Sequence, residues 1–315
     1  MPNFEIDVSK AVGYKSKPMK VIYNRRDLIM YALAIGVKGD EFKYLYELDP
    51  SFSIFPTYPL VLQSKGSTFD VNVFAEQEQV SEVIPGLPEF DINRMVHGEQ
   101  QLEILKQPPV QGEFWLKSEV TGVFDKGSGT VVERTTTMVD GNDVSYVKML
   151  TKMFFVGYGG WGGPKGPKPV SFSPPKRTPD AVDITPTNPS QALLYRLSGD
   201  YNPLHADPAI APMIGFEKPI LHGLCSYGAA AHAVLKHLGE NDAARFKKIE
   251  GRFAKPVFPG DTLVTSMWKS DANLGTADEE TILFVTSVKE RGVVVISNGV
   301  VILKKGADQA TKAKL

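Results

Sequence analysis

Cysteine is almost absent. Cys225 stands alone among 315 residues, which excludes an internal disulfide and leaves a cysteine-based zinc site untenable. An excess of charge of either sign is also missing. The 35 basic and 36 acidic residues leave a formal net charge of −1, so no overall field points to nucleic acid or an anionic membrane as the main partner. No apolar stretch reaches the length of a membrane span, and the opening MPNFEIDVSK has acidic residues where a secretory signal has its apolar core. We expect a protein that is neither exported nor membrane-spanning. Nucleotide loops are lacking as well, because the glycine-rich GYGGWGGPKG runs into prolines and not into a helix. His232 and His237 do not have the His-Glu-x-x-His spacing of a zinc helix. No metal and no nicotinamide cofactor is implied.

What is present divides the chain in two. Residues 157–180, GYGGWGGPKGPKPVSFSPPKRTPD, hold six glycines and six prolines in 24 positions. That composition reads as a surface linker, with Trp161 and Phe172 as anchors. The expected organisation is an N-terminal half over 1–156, the linker over 157–180, a C-terminal half over 181–305 and a flexible tail over 306–315.

The halves look like distant copies. Each begins with an apolar helix: residues 25–36 set Leu28, Tyr31, Ala32 and Ile35 at helical spacing, and residues 190–199 do so with Leu193, Leu194 and Leu197. Each then carries a His-Gly pair, His97-Gly98 and His222-Gly223, followed by alternating strands. PPVQGEFWLKSEV answers PVFPGDTLVTSMW, and SYVKMLTKMFFVG answers VVVISNGVVIL. Residues 222–239, HGLCSYGAAAHAVLKHLG, predict a small-residue helix around which a sheet can wrap closely. Helix followed by clustered strands fits an α+β arrangement.

The chemistry concentrates in YRLSGDYNPLHADPAIA, residues 195–211. Asp200, Asn202 and His205 fall within six positions; Gly199 just before them permits a tight turn, and Pro203 among them drives Asn202 away from helical geometry. A carboxylate and an imidazole held close can share one water, one group taking a proton while the other gives one. The same string also suits a turn before a helix, with Asp and Asn as caps. The first half continues from Gly36 as VKGDEF, with no Asn-Pro and no following histidine. Only the second half is therefore expected to be catalytic, and Asp40 reads as a loop residue.

The order of Tyr195, Leu197, Ser198, Gly199, Asp200, Asn202, Pro203, Leu204, His205 and Ala211 resembles the hydratase 2 motif of R-specific, MaoC-like enoyl-CoA hydratases. That resemblance implies a double hot-dog fold, two antiparallel sheets each wrapped around a central helix. It implies reversible hydration of trans-2-enoyl-CoA to (3R)-3-hydroxyacyl-CoA, with CoA as part of the substrate and no separate cofactor. Asp200 and His205 would hold the water, Asn202 would orient it with capping as its other reading, and the Gly223 N–H would polarise the thioester. His97, Gly98, Lys126, Tyr201, Pro203, Leu204 and Phe253 would contact the acyl-CoA, with a solvated turn for Lys126 and a core position for Phe253 as the plainer readings. His222 would support the turn around Gly223.

The last three residues, Ala313, Lys314 and Leu315, form a small, basic, leucine ending similar to the Ser-Lys-Leu address read by the peroxisomal import receptor. Peroxisomal localisation is the expectation, with that receptor and an acyl-CoA thioester as partners and a homodimer left open. Two other activities share the architecture: a thioesterase, with Asp200 directing water at the thioester carbon, and a non-catalytic acyl-CoA binding module.

Overall fold

The computed structural model describes residues 4–71, 82–168, 171–272 and 274–306. The proposed import signal, Ala313 to Leu315, lies outside them, as does most of the 306–315 tail. Ten strands form one antiparallel sheet: β1 (Met19–Tyr23), β2 (Met95–Ile104), β3 (Gly112–Asp125), β4 (Gly129–Val139), β5 (Ser145–Val156), β6 (Ala181–Pro186), β7 (Phe246–Phe253), β8 (Thr262–Lys269), β9 (Glu279–Val288) and β10 (Val293–Lys304). Their order is β1-β3-β4-β5-β2-β7-β10-β9-β8-β6. Replacing β1–β5 by β6–β10 reads the same order from the other edge. The two halves are therefore copies in topology, related about the line between β2 and β7.

The two expected sheets are continuous. β2 and β7 pair antiparallel from Glu99↔Arg252 to Glu103↔Lys248, so each half supplies the neighbour that the other half's last strand requires. On both sides of this junction lies a two-sided pattern, as in β9, where Ile282, Phe284, Thr286 and Val288 point inward at alternate positions.

Six α-helices are described: α1 (Val8–Ala11), α2 (Arg25–Ala34), α3 (Phe42–Leu45), α4 (Leu62–Lys65), α5 (Gln191–Tyr195) and α6 (Gly223–Leu238). α2 starts at a capping box in which Asn24 and Asp27 exchange side-chain-to-backbone bonds. It stops at Ala34, two residues short of the predicted end. Gly36 turns to φ +95 and Val37 donates back to the Ala32 carbonyl, which closes the helix. The second apolar helix, predicted over 190–199, is α5 followed by a 3-10 turn over Arg196–Ser198.

α6 runs at the predicted place, and Cys225 to Leu235 are buried without interruption. Small residues make this close packing feasible. A Cβ on Gly228 would lie 2.6 Å from Ile35 Cγ2 and 3.0 Å from the Tyr31 hydroxyl. The equivalent stretch of the first half, residues 35–94, holds only short helical turns among its described residues. Aromatic rings fill the first core instead: Tyr31 meets Tyr58 edge-on at 5.4 Å, and Tyr58 meets Tyr23 at 5.3 Å.

The halves are pinned along α6. The Tyr227 hydroxyl donates to the Gln100 carbonyl of β2 at 2.9 Å, and His232 Nε2 lies 2.7 Å from the Glu41 carboxylate. His237 pairs with Asp183 at 2.8 Å. Both histidines thus have structural partners.

Residues 157–180 contain no helix or strand among those described. Their first part is held by one carboxylate. Asp125 accepts from the backbone N–H groups of Gly127, Gly160 and Gly162, and the Trp161 indole donates to Thr130. Those amides hold the Asp125 carboxyl well below the usual carboxylate range. Asp125→Ala should free the segment: amide hydrogen exchange at Gly160 and Gly162 is expected to accelerate while α6 remains as protected as in the wild type.

Candidate active site

The loop 199–205 is shaped before it is functional. Gly199 sits at φ +128, and a Cβ there would lie 2.6 Å from the Lys65 Cα and 2.7 Å from the Lys65 backbone nitrogen. Only glycine lets the loop press against the first half at this point. Lys65 is itself locked: its ammonium is 3.5 Å from the buried Asp27 carboxylate and donates to the Ile22 and Thr68 carbonyls. A buried cation so enclosed is a rigid abutment.

Beyond Gly199, short polar bonds set the chain direction. The Asp200 carboxylate accepts from the Asn202 N–H at 3.3 Å, and the Asn202 side-chain oxygen accepts from the Leu204 N–H at 2.9 Å. Asn202 thus caps the 3-10 turn Pro203–His205. Tyr201 is buried, with the Arg196 guanidinium 5.0 Å above its ring. Pro203 and Leu204 are half-buried.

Asp200 and His205 meet a third group from α6. One carboxylate oxygen of Asp200 and one ring nitrogen each of His205 and His222 lie within 4.8 Å of one another. His205 Nδ1 is 2.8 Å from the Ile220 carbonyl. A carbonyl only accepts, so Nδ1 carries the proton and the neutral ring keeps its Nε2 lone pair. By the same logic His222 Nε2–H donates to the Asp200 backbone carbonyl at 3.1 Å. The two imidazoles stack at 3.7 Å.

Burial pushes the His205 imidazole below its ordinary range, and the Asp200 carboxylate opposes that shift. Burial and then the neighbouring His205 push His222 well below its own. Both rings are neutral near pH 7. A neutral acceptor beside a carboxylate can position a water and take its proton.

The adjoining wall comes from three other elements. Gly223 opens α6, where first-turn N–H groups lack intrahelical partners and the positive end of the dipole faces outward. A Cβ on Gly223 would lie 3.2 Å from the Phe253 ring, which closes β7. Phe253 in turn meets His97 of β2 edge-on at 4.7 Å. Asp200, His205, His222, Gly223, Phe253 and His97 form one continuous set.

His97-Gly98 departs from its supposed equivalent. The pair lies in a strand, whereas His222-Gly223 starts a helix, so the two pairs are not copies of one feature. The strand placement has its own logic. A register shift between His97 and Glu99 inserts a bulge, which puts residues 97 and 100 on one face. His97 Nε2 then reaches the Gln100 side-chain oxygen at 3.0 Å, which also accepts from the Thr151 hydroxyl. Burial pushes the His97 imidazole down to about 4, with Gln100 and Asp200 opposing. Gln100 escaped the sequence reading because regular alternation places it on the opposite face from His97.

Lys126 stands apart. It occupies the β3–β4 turn, two to three strand spacings or roughly 10–15 Å across the sheet from His97. Its ammonium donates to the Lys165 carbonyl, in a pocket of about 340 Å³ lined also by Lys165, Gly166 and Lys168.

A family model described as "MaoC like domain" matches residues 171–291, and one described as "MFE-2 hydratase 2 N-terminal domain" matches residues 22–157. The chain is 39% identical to a protein from Dictyostelium discoideum named "Probable enoyl-CoA hydratase 2", over 96% of this chain and 99% of that one. It is 40% identical to "Peroxisomal multifunctional enzyme type 2" of Mus musculus, over 96% of this chain and 39% of the mouse protein. The crystal structure of a MaoC-like dehydratase from Phytophthora capsici superposes with a TM-score of 0.86 at 41% identity, covering 96% of this chain and 99% of the other. A Mycobacterium tuberculosis protein described as having a double hotdog fold shares the architecture at 13% identity, with a TM-score of 0.58 over 93% of this chain and 96% of that chain.

Two outcomes test this geometry. Gly199→Ala should destabilise the fold by about 2 kcal/mol, through a disfavoured φ and a clash with Lys65, measured by urea unfolding. For acid sensitivity, the unfolded state binds protons that the neutral folded imidazoles refuse. The stability from His97 is thus complete above about pH 6.5 and is lost as pH falls toward about 4. Urea midpoints should drop across that window, and a flat profile would contradict the buried neutral state.

Proposed function

The chain belongs to the MaoC-like hydratase 2 family, and from that premise we propose that it reversibly adds water to trans-2-enoyl-CoA, giving (3R)-3-hydroxyacyl-CoA in peroxisomal fatty-acid β-oxidation. The observation that carries this reading is the meeting of Asp200 with His205, whose Nε2 is left free by the bond from Nδ1 to Ile220, beside the N-terminus of α6. A hydro-lyase needs an acid and a base on one side of a double bond and a donor at the carbonyl on the other.

Water held between Asp200 and His205 attacks C3 as the pair takes one of its protons. Electrons shift through C2 onto the thioester oxygen, where the Gly223 N–H meets the developing negative charge more strongly than it meets the ground-state carbonyl. The pair then returns a proton to C2. Because both transfers come from the same two side chains, addition is syn, and the two groups titrate as a unit. Asn202 contributes by holding the turn that carries His205.

In this reading the second half performs the chemistry and the first half holds the rest of the substrate. His97, Gly98 and Phe253 line the approach to Gly223, with Tyr201, Pro203 and Leu204 on the catalytic loop. Lys126 meets the CoA end as a point charge, and its separation from the reacting carbon suits a long thioester. CoA enters as substrate, and no further cofactor takes part. Ala313-Lys314-Leu315 is the proposed signal for the import receptor.

Hydration of trans-2-decenoyl-CoA by wild type and Asp200→Asn tests the proposal, following enoyl absorbance, thiol release and product configuration together. The wild type should yield the (3R)-alcohol without free thiol, and the variant should be slower by about a hundredfold or more. Thiol release would make the protein a thioesterase, and tight acyl-CoA binding without turnover would make it a binding module.

A further inference from the structure

His222 touches every component of the acid/base pair and takes no proton in the reaction described above. Its backbone is the N-cap of α6, and its carbonyl accepts from the Cys225 and Ser226 N–H groups, which sets where Gly223 stands. Its Nε2–H holds the Asp200 backbone. Its ring lies 3.7 Å from that of His205 on one side and 4.8 Å from that of Tyr195 on the other.

The ring is also fixed in its protonation state by its surroundings. His222 is 1% exposed, and its Nδ1 has no partner among the described residues. A proton there would put a buried N–H without an acceptor, and a positive charge beside His205 and near Arg196. The facing groups are Tyr195 on α5, Arg196 on the following turn, and Asp200 and His205 on the catalytic loop. Of these only Asp200 carries a carboxylate; one of its oxygens lies within 4.8 Å of a His222 ring nitrogen, while the hydrogen bond from His222 goes to the Asp200 backbone carbonyl.

We propose that His222 is the positioning residue of the Asp200/His205 pair: an imidazole that ties the Asp200 backbone through Nε2–H and clamps the His205 ring by stacking. The clamp covers one face of the His205 ring and leaves its Nε2 for the reacting water. The inference rests on the hydratase reading for its catalytic consequence, whereas the protonation state of His222 does not depend on it.

Two variants of the full chain separate the two contacts. His222→Gln keeps a side-chain N–H for the Asp200 carbonyl and removes the ring, whereas His222→Phe keeps a flat ring and removes the donor. With trans-2-decenoyl-CoA both should lower kcat by about tenfold or more while KM changes by less than about threefold. In His222→Gln the acid limb of kcat/KM should move to higher pH, because water admitted beside His205 relieves the desolvation that keeps it neutral. In His222→Phe the limb should stay in place. Folded variants with wild-type kcat and an unmoved acid limb would overturn the proposal. Should either variant fail to fold, imidazole nitrogen chemical shifts of the wild type decide. His222 must remain neutral with its proton on Nε2 from pH 8 to 5, and titration in that range or a proton on Nδ1 would refute it. A wild type that hydrates nothing would remove the hydratase reading and leave the nitrogen spectrum to report on His222 by itself.

Discussion

The antiparallel pairing of β2 with β7 is the contact on which the rest of the molecule depends. Five register pairs from Glu99↔Arg252 to Glu103↔Lys248 turn two five-stranded sets into one sheet. That junction lets α6 belong to both halves: its Tyr227 hydroxyl reaches the Gln100 carbonyl on β2 while Gly251 of β7 lies close to the same ring. The site follows from this sharing. His97 arrives from β2, Phe253 from β7 and Gly223 from the start of α6, and they meet because their elements converge at one end of the junction.

A second constraint is the partial desolvation of three imidazoles. His97, His205 and His222 each spend their defined proton on a carbonyl or amide oxygen: Gln100, Ile220 and Asp200 respectively. Burial then disfavours a second proton on each. Charge at the site therefore rests with Asp200 among these groups. The loop bearing it is held from the outside by Lys65, whose own charge is taken up by Asp27 and two carbonyls. First-half residues thus shape the loop that carries Asp200, Asn202 and His205.

Much of this was legible in the chain. The spacing around Gly199 and Pro203 singled out Asp200 and His205, which the fold brings together, and Asn202, which caps the turn between them; α6 was marked by its run of small residues between glycines. The repeat was visible in the paired strands, and the mirrored strand order gives it a structural basis. The His-Gly pairs misled, since identical dipeptides occur in a strand and at a helix start; only the bulge at Gly98 distinguishes the former, and a bulge leaves no reliable mark in sequence. Lys65, Gln100 and the His205–His222 stack were invisible for a related reason. Each depends on a contact between segments separated by tens to more than a hundred positions, or on a local break in alternation, and neither periodicity nor motif spacing encodes those.

The route of the linker has a consequence for the independence of the halves. β5 and β6 stand fourth and tenth in the sheet, so residues 157–180 cross six strand spacings, roughly 29 Å, within a reach of about 80 Å for 24 residues. So much slack means that the covalent connection does not dictate how the halves dock; it raises their local concentration and leaves recognition to β2 and β7. Severed at the linker, each half would present one of those strands as a bare edge, ready to pair with any extended chain. Tethering therefore protects against promiscuous strand exchange more than it builds the sheet, and solubility, before catalysis, is what separated halves would stand to lose.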